Sequence, residues 1–259
     1  MGCKPIVINS ETNGDFAHSP SPTPSNMRQL ASLLAHVDAD VGFAINSDAD
    51  SVGIVTEKGV TLSEECTFPL VAAHVLRGAP SVTLTNLSTS MMIEKVVQER
   101  KGRLIRTKIG EGNVLFAAAN ENALLAGEGS GGVAYLPMVR AFDAFFTLTL
   151  LLERMALEER TVTELRAELP QFHMIKGVIP ASSDRIYYAL EDVRQRFRNE
   201  EVDLTDGVRV KWPGRWLHVR ASNTEPVLRV FVEGDDEESV NRLFSEMIHR
   251  VNTVVHGKS

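Results

Sequence analysis

The chain has 259 residues, with 43% hydrophobic and 24% charged side chains and a formal net charge of −7. This balance is typical of a soluble globular protein, and the negative charge argues against a nucleic-acid partner. The longest apolar runs, such as residues 148–152, are too short to cross a bilayer, and Asn9 and Glu11 interrupt any signal-peptide core. Because Cys3 and Cys66 form no disulfide framework or zinc pattern, we expect a cytoplasmic protein with no membrane partner.

Residues 1–56 form the first of three stretches that differ in character. Hydrophobic periodicity predicts a short strand, a turn-rich loop, a helix with one buried face, and two strands that flank an acidic turn. These elements are the strand Pro5–Ile8, the loop Asn9–Pro24, a helix whose buried face carries Leu30, Leu33, Leu34 and Val37, and the strands Val41–Ile45 and Val52–Thr56.

Residues 57–170 alternate helices and strands in the manner of an α/β domain. The predicted elements are a helix near Ser63–Leu76, the strand Ser81–Leu84, a helix near Ser90–Gln98, the strand Arg103–Thr107, a helix near Asn113–Ala119, the strand Ala123–Ala126, the glycine-rich loop Gly127–Gly132 and the helix Asp143–Leu157. Thr161 and Glu164 have the spacing of a capping box, which predicts one further helix.

The pattern of residues 171–259 predicts an α+β domain. The predicted fold class is therefore α/β units followed by a C-terminal α+β unit. The predicted elements are a helix near Arg185–Phe197, strands near Gly207–Trp212, Arg215–Val219 and Val227–Val232, and a helix from Glu237 with Val240, Leu243, Met247 and Val251 on one side.

The acidic turn between the first two strands holds Asn46, Asp48 and Asp50. Alternate residues of an extended turn point the same way, so three oxygen-bearing side chains converge, as a hard cation such as Mg²⁺ requires. A solvated turn is the competing interpretation, because Asn, Ser and Asp favour turns in any case. An EF-hand is excluded because Ser51 stands where that loop needs glycine and because the flanking segments are strands.

A second polar segment lies between two strands near the C-terminus and contains two arginines. Arginine guanidinium groups bind phosphate through paired, charge-assisted hydrogen bonds, and the hydroxyl, amide and backbone N–H groups of a loop complete such a site. The alternative is a polar hairpin with solvated arginines. The segment's polar residues are Arg220, Ser222, Asn223, Thr224 and Arg229.

Two further segments carry weaker signals. The loop Gly127–Gly132 contains Glu128 and Ser130, which suit the hydroxyl groups of a sugar, although a plain glycine-rich turn explains the glycines equally well. Lys108 ends a strand, where α/β sheets place ligand-binding groups, although most such lysines are solvated. His18 and His218 are interpreted as structural or surface residues.

Taken in order, the acidic turn, TKIGE, GEGSGG and RASNTEPVLR make the chain similar to the α-D-phosphohexomutases, the family of phosphoglucomutase, phosphomannomutase and phosphoglucosamine mutase. The resemblance implies mutase-type domains with mixed sheets, namely a remnant of domain 2 at 1–56, domain 3 at 57–170 and domain 4 at 171–259. It also implies a hexose phosphate substrate, Mg²⁺ as cofactor, and transfer of a phosphoryl group between C1 and C6.

The resemblance assigns a role to each motif. Asn46, Asp48 and Asp50 correspond to the metal loop, and Lys108 corresponds to a catalytic lysine near the reacting groups. Glu128 and Ser130 correspond to the sugar-contacting loop. The phosphate clasp corresponds to Arg220, Ser222, Asn223, Thr224 and Arg229.

The sequence departs from the family pattern at points that matter for catalysis. The family's phosphoserine lies in domain 1, which the resemblance does not include, and Asn46 and Ser51 replace an aspartate and an arginine. Each loss weakens the charge stabilisation of phosphoryl transfer. We therefore expect a mutase that is weakly active or inactive alone and that acts as a homo-oligomer or with a serine-bearing N-terminal half. The alternative is a non-catalytic sugar-phosphate-binding or scaffolding protein, and the preferred hexose stays open.

Overall fold

The computed structural model describes residues 2–11 and 13–257. Within these residues the strands form three separate sheets of two, four and five strands, with helices packed on them. The predicted class, α/β units followed by an α+β unit, is confirmed.

The first sheet is an antiparallel hairpin next to one short helix. Helix α1 (Arg28–Leu34) precedes strands β1 (Val41–Ile45) and β2 (Val52–Thr56), whose bounds match the prediction. The register pairs Ile45 with Val52, so the acidic turn closes the hairpin. A small core anchors the helix on this hairpin and contains Met27, Leu34 and Val55.

The strand predicted at Pro5–Ile8 is wrong. Residues 5–8 have no regular secondary structure, and Ile6 and Val7 are 63% and 69% exposed. An apolar run becomes a strand only when a neighbouring strand takes up its backbone hydrogen bonds, and none among the described residues does so.

The second sheet has the strand order β4–β3–β5–β6, in which the first three strands are parallel and β6 is antiparallel. Its helices pack around a core that includes Phe68, Leu70, Ile93 and Leu151. The capping box at Thr161 is confirmed. The strands of the second sheet and the helices around them are α2 (Thr67–Val75), β3 (Val82–Asn86), α3 (Met91–Glu99), β4 (Arg103–Thr107), α4 (Glu111–Asn120), β5 (Leu125–Gly127), β6 (Val133–Tyr135), α5 (Ala144–Glu158) and α6 (Val162–Ala167).

Parallel strands bring three loops to one edge of this sheet. The segments 87–90, 108–110 and 128–132 follow β3, β4 and β5 at their carboxyl ends, the usual position of ligand-binding loops in α/β sheets. The short strand β6 was not predicted, because its three residues show no alternation of apolar and polar side chains.

The third sheet is antiparallel in the order β7–β11–β10–β9–β8, and its core includes residues from two helices. Both edge strands were missed. β7 contains Gly177 and ends at Pro180, residue types that disfavour a strand assignment, and edge strands tolerate them. The elements are β7 (His173–Pro180), α7 (Ser183–Arg196), β8 (Glu201–Asp203), β9 (Val208–Trp212), β10 (Arg215–Ala221), β11 (Val227–Gly234) and α8 (Glu237–His256).

A buried carboxylate joins the second unit, which is the four-stranded sheet with its helices (residues 67–167), to the third unit, which is the five-stranded sheet with its helices (residues 173–256). Glu233 on β11 is 1% exposed and accepts hydrogen bonds from the Ser90 hydroxyl, from the Met91 backbone N–H at 2.7 Å and from Trp216 Nε1 at 2.7 Å. The N-terminus of α3 is therefore capped by a side chain from the neighbouring unit. Across the described part of the chain, every helix is too short or too polar to cross a lipid bilayer.

Candidate functional site

The polar segments singled out in the sequence meet at one cleft of about 760 Å³. The hairpin turn, the glycine-rich loop and the arginine segment each come from a different sheet, and all three contribute to its lining. The predicted site residues in the lining are Asn46, Asp48, Asp50, Glu128, Ser130, Arg220, Ser222, Asn223, Thr224 and Arg229.

The arginine segment is the turn of the β10–β11 hairpin. Its register places Arg220 directly opposite Arg229, so two cations occupy facing positions on adjacent strands. The Ser222 backbone N–H donates to the Val227 carbonyl at 2.9 Å and closes the loop between them. Like charges in directly opposed positions repel each other, so an anion bound between them would stabilise this arrangement.

Arg220 is held in place by its neighbours. Its side chain is buried, with Nε 3.1 Å from Asp206 Oδ1 and one terminal nitrogen 3.1 Å from Asn223 Oδ1. Asp206 also accepts from the Ile109 backbone N–H at 2.9 Å, which ties the arginine to a loop of the second unit. Asp206 was not among the predicted site residues, because its local sequence does not indicate these distant contacts.

His218, which lies on the same strand, is confirmed as a structural residue. The Asp206 carbonyl can only accept, so His218 Nε2 carries the proton and Nδ1 accepts from the Ser88 hydroxyl at 2.8 Å. Burial lowers the pKa of His218 to about 4. The ring is therefore neutral at physiological pH and joins the two units by hydrogen bonding.

The glycine-rich loop is fixed on two sides. The Gly129 backbone N–H donates to Thr89 Oγ1 at 3.2 Å, and the Val52 backbone N–H donates to the Gly131 carbonyl at 3.2 Å. Gly131 has φ +92°, and a Cβ there would lie 2.5 Å from the Val52 carbonyl oxygen, so this position requires glycine. The loop is therefore attached directly to the strand that follows the acidic turn.

Glu128 belongs to this loop and presents a partly buried carboxyl group to the cleft. It accepts from the Gly110 backbone N–H at 3.1 Å, and burial raises the pKa of its carboxyl group. Ser130, two residues later, is exposed at the cleft surface. A carboxylate and a hydroxyl at this position can accept hydrogen bonds from, and donate them to, a polyhydroxylated ligand.

The structure does not bring Lys108 into the cleft. Its neighbour Ile109 lines the cavity, whereas Lys108 is exposed and lies outside the lining. The lining instead includes Lys176 from edge strand β7, whose Nζ lies 2.8 Å from Glu64 Oε1 and 2.7 Å from Glu65 Oε1. Because β7 was not predicted, this cation was missed. The catalytic role of Lys108 stays a prediction.

The acidic turn hydrogen-bonds to itself. Asn46 Oδ1 accepts the backbone N–H groups of Asp50 and Ser51 at 3.1 and 3.0 Å, while Asn46 Nδ2 donates to Asp50 Oδ1 at 2.7 Å. The Ser51 hydroxyl donates to the same Asp50 oxygen at 2.6 Å, and Asp48 is exposed. The expected convergence of three free oxygens is therefore not found.

This arrangement does not fit a three-ligand Mg²⁺ site. Asn46 Oδ1 and Asp50 Oδ1 both already accept hydrogen bonds, and Asn46 Nδ2 is a donor that cannot serve as a cation ligand. Among the described residues, no group of three or more His, Cys, Asp or Glu side chains is placed to hold a metal ion.

Comparison with known proteins follows the order of the three units. Residues 1–59 match the model for phosphoglucomutase/phosphomannomutase alpha/beta/alpha domain II, residues 64–172 match that for domain III, and residues 174–250 match that for the C-terminal domain IV.

Several curated proteins are similar along almost the whole chain. A probable phosphoglucosamine mutase of Methanopyrus kandleri is 31% identical over 98% of this chain and 57% of its own length. A phosphoglucomutase/phosphomannomutase of Thermococcus kodakarensis is 30% identical over 92% of this chain and 53% of its own length. The chain thus spans little more than half the length of these relatives.

The fold has solved counterparts as well. A phosphoglucomutase/phosphomannomutase family protein from Burkholderia thailandensis superimposes with a TM-score of 0.80 and 26% identity, over 93% of this chain and 52% of that one. An N-acetylphosphoglucosamine mutase from Aspergillus fumigatus, with 15% identity over 91% of this chain and 53% of its own, shares the fold at a TM-score of 0.61.

Proposed function

This chain belongs to the α-D-phosphohexomutase family, and from that premise we propose that it binds a hexose phosphate in the cleft shared by its three units. The observation that carries the proposal is the joint lining of one 760 Å³ cavity by the glycine-rich loop and the arginine hairpin. This volume lies within the usual range for small-ligand sites.

The phosphate would sit at the arginine hairpin. Arg220 and Arg229 oppose each other there, and loop hydroxyl groups lie beside them. Their present partners, Asp206 and Asn223 for Arg220 and Glu225 for Arg229, leave further N–H donors on each guanidinium. A phosphate dianion would accept those bonds and offset the cross-strand repulsion.

The sugar would extend toward Glu128 and Ser130. Hydrogen bonding to hydroxyl groups is within the capacity of both residues, and several hexoses offer suitable hydroxyls. The names of the relatives support a hexose phosphate as the ligand class, since they include phosphoglucosamine mutase and phosphoglucomutase/phosphomannomutase. The Aspergillus fumigatus enzyme, which shares the fold, was solved in complex with GlcNAc-6P and magnesium.

Mutase turnover by this chain alone would be weak or absent. C1/C6 transfer moves a dianionic phosphoryl group, and its catalysts depend on metal ions and cations to offset the charge. The turn at Asn46–Ser51 offers neither, because Asn46 bonds to Asp50 and Ser51 replaces a cation of the family pattern. A non-catalytic binding or scaffolding role is the alternative within this proposal.

Assembly is part of the same proposal. A separate serine-bearing N-terminal half would supply the nucleophile that turnover needs. A homo-oligomer would instead cover hydrophobic side chains that are exposed in the first unit, such as Ile6, Val7 and Phe16. Cys3 and Cys66 are free thiols, which agrees with the cytoplasm as the expected compartment.

The binding proposal is tested by calorimetry with glucose 6-phosphate, mannose 6-phosphate and glucosamine 6-phosphate. We expect saturable binding that Arg220→Ala weakens by roughly 100-fold, because charge-assisted hydrogen bonds to the phosphate are lost. As a matched control, Arg242→Ala removes an exposed arginine of α8 outside the cleft and should leave the affinity unchanged. Equal affinities for wild type and Arg220→Ala would remove the clasp from the proposal.

Turnover is tested separately by a coupled mutase assay. The chain is assayed alone and after addition of an N-terminal half from a relative that carries the serine. Activity that appears only with the added half supports the split arrangement. Binding without activity in either arm supports the non-catalytic alternative, and full activity of the chain alone would contradict the proposed weakness of the turn.

A further inference from the structure

A second polar cavity, of about 460 Å³, lies in the seam between the second and third units. Its walls come from α3, from β4 and the residue before it, and from β9, and it shares no lining residue with the cleft. Four cationic side chains line it against a single carboxylate. The charged residues of the lining are Glu94, Arg103, Arg106, Arg209 and Lys211.

Arg209 is the unusual member of this group. It is 6% exposed, yet its Nε has no hydrogen-bond partner within the described residues. Its guanidinium lies over the Trp216 ring, 5.0 Å from the centroid, and burial next to Arg106 lowers its pKa to about 10. A buried N–H donor that lacks an acceptor is costly, so an anion that accepts a hydrogen bond from this Nε would stabilise the site.

The neighbouring carboxylates offset part of this charge, but the described residues show no ion pair for Arg209, on which Asp203 and Glu233 act from a longer distance. Glu94 is shared between Arg106 at 3.5 Å and Lys211 at 3.9 Å. Arg106 donates to the Asn86 and Thr89 carbonyls at 3.0 and 2.7 Å, which are uncharged acceptors. Within the described residues, Arg103 alone of the four cations has an ion-pair partner that it does not share, Glu121, and both of these groups are well exposed.

We propose that this seam is a second anion site, which binds a small tetrahedral oxyanion such as free phosphate or the phosphate group of a monoester. The cavity is small, and it is lined by a buried arginine between two packed units. A cavity of this kind favours a compact ion over an acidic protein segment. Arginine and lysine from both units would bind the ion together, so its binding would also tighten the seam.

The experiment uses the full chain with Arg220→Ala, which removes the arginine clasp of the cleft. Inorganic phosphate is titrated by calorimetry at constant ionic strength set with chloride, and the unfolding temperature is recorded in parallel. We expect one saturable site and an unfolding temperature that rises with phosphate. Lys211→Gln in this background should weaken binding by roughly tenfold, since an exposed side chain is changed and the fold is kept.

Further variants keep the test decisive. Arg209→Met should abolish binding, and its folding is checked by circular dichroism because the residue is buried. Lys95→Gln removes an exposed cation of α3 outside the cavity and should change nothing.

Unchanged phosphate binding in Lys211→Gln, equal weakening by Lys95→Gln, or no saturable binding in Arg220→Ala would overturn the second site. Titration of glucose 6-phosphate into the same variants distinguishes a monoester from free phosphate. Failure of this site leaves hexose phosphate binding in the cleft untouched, because that binding is measured by its loss in Arg220→Ala.

Discussion

Arg220 and Arg229 are cross-strand partners near the end of the β10–β11 hairpin, one pair before the loop that lines the cleft. The two differ in surroundings: Arg220 is 3% exposed and held by Asp206, while Arg229 is partly exposed and paired with Glu225 at 2.5 Å. The first is therefore a fixed part of the site, and the second is free to exchange a surface partner for a ligand.

This difference predicts different consequences of substitution. Arg229→Ala should weaken hexose phosphate binding by roughly tenfold and shift the free energy of unfolding by less than about 0.5 kcal/mol, because an exposed ion pair contributes little. Calorimetry and urea unfolding measure the two quantities. A loss of stability without a loss of affinity would contradict this assignment, and Arg242→Ala serves again as the control.

The acidic turn makes a prediction about metal binding. Asn46→Asp replaces the Nδ2 donor with a second carboxylate next to Asp50, so the variant should unfold at a lower temperature than wild type in EDTA. Added MgCl₂ should restore the unfolding temperature of the variant, because a divalent cation offsets the paired charges, and should leave wild type almost unaffected.

The control for this substitution is Asn241→Asp on α8, which adds the same charge outside the cleft and should show no response to Mg²⁺. A wild-type chain that is already stabilised by millimolar Mg²⁺ would show that the self-bonded turn opens readily. The turn would then be able to bind Mg²⁺ despite its internal hydrogen bonds.

His218 predicts a pH dependence of stability. Its pKa falls from an ordinary value of 6.5 to about 4 on folding, because the buried ring is costly to charge. The unfolded chain therefore binds the proton first as pH falls, so the stabilising contribution is present above pH 6.5 and is lost progressively between 6.5 and about 4. At most this amounts to something on the order of 3 kcal/mol.

Urea unfolding at several pH values checks this prediction. The slope between pH 6.5 and 4 should be shallower for His218→Gln than for wild type, and His249→Gln, an exposed histidine of α8, should keep the wild-type slope. Buried carboxylates such as Glu233 titrate with the opposite sign, since burial raises the pKa of Glu233, and they are common to all three proteins. Identical slopes would contradict a neutral buried ring.

Glu233 predicts a large loss of stability from one substitution. Glu233→Ala leaves the Ser90 hydroxyl, the Met91 backbone N–H and Trp216 Nε1 without their acceptor and should cost on the order of 3 kcal/mol. Limited proteolysis should then cut between the second and third units. Glu246→Ala, which breaks an exposed ion pair with Arg196, should cost less than about 0.5 kcal/mol.

Local patterns in the sequence determined the β1–β2 hairpin, most helices, the capping box at Thr161 and the composition of the three cleft loops. Each of these depends on residues that are neighbours in the chain, through the periodicity of buried side chains, turn chemistry and helix capping. The ordered motifs also sufficed for the family, which the matching domains confirm.

Only the tertiary structure decided which groups share the cleft. Lys176 lines it from an edge strand, and Lys108 does not. Asp206 binds Ile109, far away in sequence, and Asn46 bonds to Asp50 instead of facing a cation. The physical reason is that hydrogen bonds and ion pairs form between groups that tertiary packing brings together. The positions of those groups along the chain do not reveal which of them will be in contact.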